Sequence, residues 1–166
     1  MRYLKRYINY SVGLLLCIFI SNAQAKTSAT LMEKEADSDG NLAVSLLFIS
    51  DQHTLKSGYV SLSFVCAKNG QAVTLILGEP GELMRYITVQ YRVDDKAPVT
   101  ESWEWGNNTA TKFSAEKLIR ELLNSKRFAA MLIPGMRSMG ESAAFDLTVD
   151  RSKSVEFAEK CENISR

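Results

Sequence analysis

Histidine is nearly missing from this chain, with His53 the only one among 166 residues. A lone histidine cannot build a multi-histidine metal centre. Cysteine is scarce too, at three, and none of the three has the close ligand spacing of a zinc site, so neither a metal nor a cofactor is expected. No Gly-x-Ser-x-Gly elbow, phosphate-cradling glycine loop or His-Glu-x-x-His motif occurs, which removes the recognisable hydrolase and nucleotide-binding signatures. An excess of one charge sign is also lacking, with 20 Lys and Arg against 19 Asp and Glu. Without a basic cluster interleaved with aromatics there is no footprint for nucleic acid. Proline numbers only three, and no proline-rich or low-complexity linker divides the chain.

What is present begins with a leader. Residues 1–25 carry a basic start (Arg2, Lys5, Arg6), an apolar stretch over 12–20, and Ala23-Gln24-Ala25 at the −3 to −1 positions of an Ala-x-Ala cleavage site. That order is the pattern of a secretory signal peptide. The apolar stretch is about half the ~20 residues a membrane-spanning helix needs, so no stable membrane span is expected after cleavage. Cys17 raises lipidation as an alternative, but Leu16 precedes it where a small residue is wanted. Cleavage after Ala25 would place a mature protein starting at Lys26 in the periplasm or outside the cell. It would also subtract three bases and no acid, tipping the balance slightly acidic. About 140 residues remain, suited to one domain with its own core.

Cysteine counting then becomes informative, because Cys17 leaves with the leader and Cys66 and Cys161 stay. An even pair in an oxidising compartment predicts one disulfide. Two separate buried thiols are the alternative.

Residues 26–41 are polar and aperiodic and read as a flexible N-terminal segment, leaving 42–166 as the domain. An apolar run over 42–49 suits a buried strand. Residues 59–66 alternate, with Val60, Leu62, Phe64 and Cys66 facing inward. Asn69-Gly70 before a second strand at 72–77 matches a two-residue type I′ hairpin turn. Further extended segments fall at 85–93, 99–105, 109–113, 128–133 and 142–149. Ser114 is a plausible N-cap for an amphipathic helix near 115–125, through Leu118, Ile119, Leu122 and Leu123. Ser152 or Ser154 could cap a last helix near 154–162. The expected fold class is α+β, mainly antiparallel β as a curved sheet or small sandwich, with two short helices.

Chemistry-bearing residues are few. His53 sits in a polar turn, where a solvated loop histidine is the plain reading and a general base the sharper one. Asp94-Asp95 and Glu101/Glu104 could flank a glycosidic bond in principle, although Asp94-Asp95 also suits a turn. Trp103 and Trp105, with Tyr91, could form a strand-borne binding surface or belong to the core. Met131, Met136 and Met139 could supply an adaptable contact surface or fill a loop.

One resemblance adds to this. The strand ending in Cys66, the segment Tyr91-Arg92-Val93-Asp94, Trp103, the block from Phe113 through Ser114 and Glu116 to Leu123, then Ala144-Phe145-Asp146-Leu147 and Cys161 are similar in order to the type VI secretion-associated proteins called TagO or VasI. The likeness covers about 57–161. It implies a non-enzymatic periplasmic accessory that works with a protein partner in the cell envelope. A periplasmic inhibitor or immunity-type protein that binds an envelope hydrolase is the alternative.

Overall fold

Period-two alternation builds most of this molecule, because an antiparallel strand with one face on a core must alternate apolar and polar residues. A computed structural model describes residues 26–35, 42–50, 60–77, 85–133 and 142–164. The expected leader, His53, Met136 and Met139 lie outside the described residues. The described chain runs β1 (Thr27–Glu35), β2 (Leu42–Ser50), β3 (Val60–Ala67), β4 (Gly70–Ile76), β5 (Tyr86–Val93), β6 (Val99–Gly106), β7 (Thr109–Phe113), α1 (Glu116–Leu123), β8 (Arg127–Ile133), β9 (Ser142–Asp146) and α2 (Arg151–Ile164).

All the strands join one antiparallel sheet in the order β1-β2-β3-β4-β7-β6-β5-β8-β9. The α+β expectation holds, as a single curved sheet and not a sandwich. Laid flat, nine strands would separate their outer edges by about 38 Å. Instead the backbone N–H of Asp146 in β9 donates to Thr27 Oγ1 in β1 at 3.2 Å. The sheet therefore curls until its edges nearly meet, yet β1 and β9 share no ladder. The enclosed face holds the core, from Leu46, Phe48, Leu62 and Phe64 on one side to Phe128 and Phe145 on the other.

Two helices close the open parts. In α1, Leu118, Ile119 and Leu122 are buried, one apolar stripe at helical spacing. In α2, Ser154, Phe157 and Cys161 are buried, spaced i, i+3 and i+7, and the Phe157 ring meets Phe64 edge-on at 6.3 Å. Lys153 of α2 donates to the Ala29 carbonyl at 2.9 Å, and Lys160 pairs with Glu33. Both contacts land on the edge strand β1. Lysines placed there blunt an edge that could otherwise recruit another chain.

Five expectations need correction. Residues 27–35 are strand β1, not a flexible segment. Thr27, Ala29 and Leu31 do alternate inward, but threonine and alanine are too small for that pattern to stand out, and the strand is held by β2 and α2. In the β3–β4 hairpin Ala67 pairs with Gly70, so Lys68-Asn69 forms the turn. Neither has the positive φ that a type I′ turn requires; Gly70, where the chain re-enters the sheet, has φ 137°. Ser114 is not the cap of α1, since Ala115 holds that position without a side-chain bond. Ser114 instead adopts φ 53°, and the Ala115 N–H donates to the Gln71 carbonyl at 3.0 Å. Finally, β9 ends at Asp146 because its carboxylate accepts from Thr148 N at 2.8 Å and Thr148 Oγ1 at 2.6 Å, forming a side-chain turn. α2 then begins at Arg151, so Ser152 and Ser154 lie inside it.

Candidate functional site

Register decides the fate of the aromatic residues. Ile87 on β5 lies opposite Trp103 on β6, and both point into the core. Trp103 is 1% exposed and Tyr91 7%. Their ring centroids lie 5.9 Å apart, and Tyr91 sits 5.8 Å from Phe128. These are edge-tilted contacts of interior rings. As a binding surface, then, Tyr91 and Trp103 are corrected to core: a curled sheet needs large side chains to fill its interior, and these two fill it. Trp105 is half-buried and packs against the same cluster.

The same parity turns a charged pair inward. Val89 faces Glu101 and Val73 faces Lys112, so both charged residues share the core side with Trp103. Lys112 Nζ reaches Glu101 Oε2 at 2.6 Å, and Trp103 Nε1 donates to the same oxygen at 3.4 Å. Tyr91 joins the group. Burial, and then its hydrogen bond and proximity to Glu101, push the phenol up to about 12. Glu101 is thus a hub that accepts from neighbours on β5, β6 and β7. The pair sits at the rim, with side chains 27% and 33% exposed, which is what makes an inward ion pair tolerable. The sequence groups Glu101 with Glu104 as a pair of carboxylates, and the structure separates them. The signal was available, because Glu101, Trp103 and Trp105 are two residues apart and must share a face, while Glu104 is on the other.

Asp94 has a similar structural engagement. It turns the chain at φ 50°, and its Oδ1 accepts from the backbone N–H groups of both Lys126 and Arg127 at 2.8 Å. The Arg127 hydrogen bond first of all, then that of Lys126, holds this carboxyl below its ordinary value. Asp94 therefore clamps the start of β8 to the end of β5. Cys66, opposite Val44 on the inner face, is disulfide-bonded to Cys161 with Cα atoms 5.5 Å apart, as the cysteine count predicts. Among the described residues no three His, Cys, Asp or Glu side chains gather as metal ligands would, and no helix is long and apolar enough to cross a membrane.

The outer face is where the two halves of the sheet differ most. Cross-strand neighbours Met32, Ser45, Val65, Ala72 and Phe113 form a row over β1, β2, β3, β4 and β7. Beside it runs Thr30, Leu47, Ser63, Thr74 and Thr111, then Ser28, Ile49, Ser61 and Ile76. None is charged. The next row begins at Lys34. With 23% of the chain charged, about three of these positions would carry a charge at the average rate, and surface positions are usually richer than average. On the remaining strands the outer face bears Arg92, Glu104, Arg127 and Asp146, the last two directly paired.

No family model, curated protein or solved structure matches this chain. The uncharged rows and the Glu101 hub are accordingly read on their own chemistry.

Proposed function

We infer that this chain is a non-enzymatic, exported interaction protein of the cell envelope, of the kind the likeness to TagO and VasI proteins implies. The observation that carries this is the three uncharged rows on the outer face of β1, β2, β3, β4 and β7. Depletion of charge marks the centre of protein interfaces, whereas a face meant only for water gathers charges. The carboxylates with catalytic potential support the same conclusion. Glu101 is engaged by Lys112 and Trp103, and Asp94 by two backbone amides. Each carboxylate thus has a structural task, Glu101 through Oε2 and Asp94 through Oδ1.

Two measurements test this. Purified protein is incubated with peptidoglycan and with ester, peptide and glycoside reporters, and no turnover is expected. Cleavage that Glu101→Gln or Asp94→Asn abolishes would replace an interaction protein with an enzyme. In parallel, a photo-crosslinking residue at Val65 should capture envelope protein in cells, and the neighbouring genes should include components of a secretion machine. Export is checked by intact mass: protein recovered from a periplasmic extract should begin at Lys26, and a chain still starting at Met1 in the membrane fraction rules out processing.

A further inference from the structure

One interior strand of the sheet is paired on both sides for only part of its length. β6 forms a ladder with β5 from Val99 to Glu104, but with β7 only at Glu104, Trp105 and Gly106. The β6–β7 hairpin starts from a tight turn in which Asn107 and Asn108 take φ of 50° and 62°, both positive as a type I′ turn requires. Beyond Thr111, β7 keeps to β4 alone, with Lys112 opposite Val73 and Phe113 opposite Ala72. The Ala115 N–H then donates to the Gln71 carbonyl at 3.0 Å, which draws the chain on towards β4 and away from β6. A wedge therefore opens in the sheet, closed at the rung between Glu104 and Thr111 and open at Val99 and Phe113.

Parity shows what lines it. In an antiparallel strand the backbone N–H and C=O of one residue point to the same side, and successive residues alternate. The Trp105 N–H donates to the Arg85 carbonyl at 2.9 Å, on the β5 side, so Trp103, Glu101 and Val99 also turn their backbone groups to β5. Thr100 and Ser102 turn theirs to the wedge, where no backbone group of the described residues bonds them. Both residues are exposed. On the core side the Lys112–Glu101 pair bridges the wedge. At its mouth Phe113 is 59% and Val99 41% exposed. The outer edge of β1 is covered by Lys153 and Lys160 of α2, a usual protection against strand recruitment. The outward side chains of the wedge, by contrast, are Thr100, Ser102 and Phe113, none of them charged.

Resting on the interaction role above, we propose that this wedge binds an extended segment of a partner protein, which adds to β6 as a short strand in the place that β7 vacates. The N–H and C=O groups of Thr100 and Ser102 supply the affinity, and the flanks supply the selectivity. An outward side chain of the segment lies beside Phe113 and is apolar. An inward one faces the Lys112–Glu101 pair and is small or polar. The occupant is a flexible tail or loop and not a second copy, because only Thr100 and Ser102 are open before the wedge closes, and the edge of a folded sheet cannot enter between β6 and β7.

Amide exchange followed by nuclear magnetic resonance reads the wedge directly. In the free protein the Thr100 and Ser102 amides should exchange about tenfold or more faster than those of Glu101 and Trp103, which face β5. The probe is a phage-displayed library of random heptapeptides selected on the full-length chain. Enriched peptides should lack proline and alternate apolar with polar residues. One of them, made synthetically, should slow exchange at Thr100 and Ser102. It should bind Ser102→Pro about tenfold or more weakly, because proline there removes an N–H that faces the wedge and no rung to β5. Thr100→Val keeps the backbone and should bind it within about twofold of wild type. The exchange measurements need no variant, so they decide the matter even if Ser102→Pro does not fold. Thr100 and Ser102 amides as protected as their neighbours in the free protein overturn the proposal, since the wedge is then already filled. Protection that grows with protein concentration overturns it too, by making the occupant a second copy, and so does a library from which no peptide protects these two amides. Capture of envelope protein at Val65 depends on none of these results: the wedge can fail while the interaction role stands, and peptide binding without capture at Val65 upholds the wedge alone.

Discussion

Along β1 to β4 the inner face is apolar and lies beneath α2, to which it is joined by the Cys66–Cys161 bond, and three rows of the outer face are uncharged. Along β5, β6, β8 and β9 the polar groups are distributed the other way. Charges stud the outside, and the inside admits Glu101 with Tyr91 and Trp103 as donors, answered by Lys112 from the boundary strand β7. The first half is secured by packing and a covalent bond, the second by packing and hydrogen bonds. Covalent anchoring leaves the outside of the first half without a structural task, and that is the half whose surface has the composition of an interface.

The largest effects test whether the halves share one core. Phe64→Ala in the first and Trp103→Ala in the second should each cost about 3–5 kcal/mol, read as shifts in one common denaturant transition. Two separate transitions would show that the halves unfold independently. Next comes the bond peculiar to the first half. Cys66→Ala and Cys161→Ala should each cost about 2–4 kcal/mol, with about 4–5 kcal/mol the ceiling from closing so long a loop. The double variant should lose little more than either single one, and reductant should mimic both. Hydrogen exchange should rise first in α2 and β1 while β5 and β8 stay protected; equal loosening everywhere would erase the contrast.

Smaller effects probe the polar interior of the second half. Glu101→Gln leaves Lys112 without its counter-charge at a partly solvated rim, a cost of about 1 kcal/mol or less once solvent screening is allowed for. The alkaline titration is a sharper readout. Because the Tyr91 pKa is raised to about 12, its contribution to stability is present below about pH 10 and is lost as pH rises towards 12. Ultraviolet absorbance of tyrosinate should show one late phase that Tyr91→Phe removes. The smallest effect belongs to Asp94, whose pKa is lowered from 3.8. Its clamp contributes above that value and is lost as pH falls through the folded pKa. Thermal melts between pH 5 and 2 should therefore be shallower for Asp94→Asn than for wild type, and identical slopes would remove the clamp from the stability account.

Local pattern was legible in the residues, and neighbourhood was not. Alternation marks β3 and β5, a helical stripe marks α1, and parity alone turns Cys66 inward. Nothing local shows that β4 pairs with β7 or β5 with β8, since those ladders join segments tens of residues apart and depend on how the whole sheet curls. The Glu101 hub was missed for a related reason. An acidic residue on a strand suggests solvent, and only the approach of Lys112 from another strand makes an inward position stable. β1 was missed because its stability comes from α2, at the far end of the chain.

That distant linkage also sets an order of events. Cys161 lies 95 residues after Cys66, so every described strand has been synthesised before the second thiol exists. In a chain made from its N-terminus forward, the bond can close only after α2 has been made. The disulfide is therefore the last of these connections to become available, and it is α2 that delivers it.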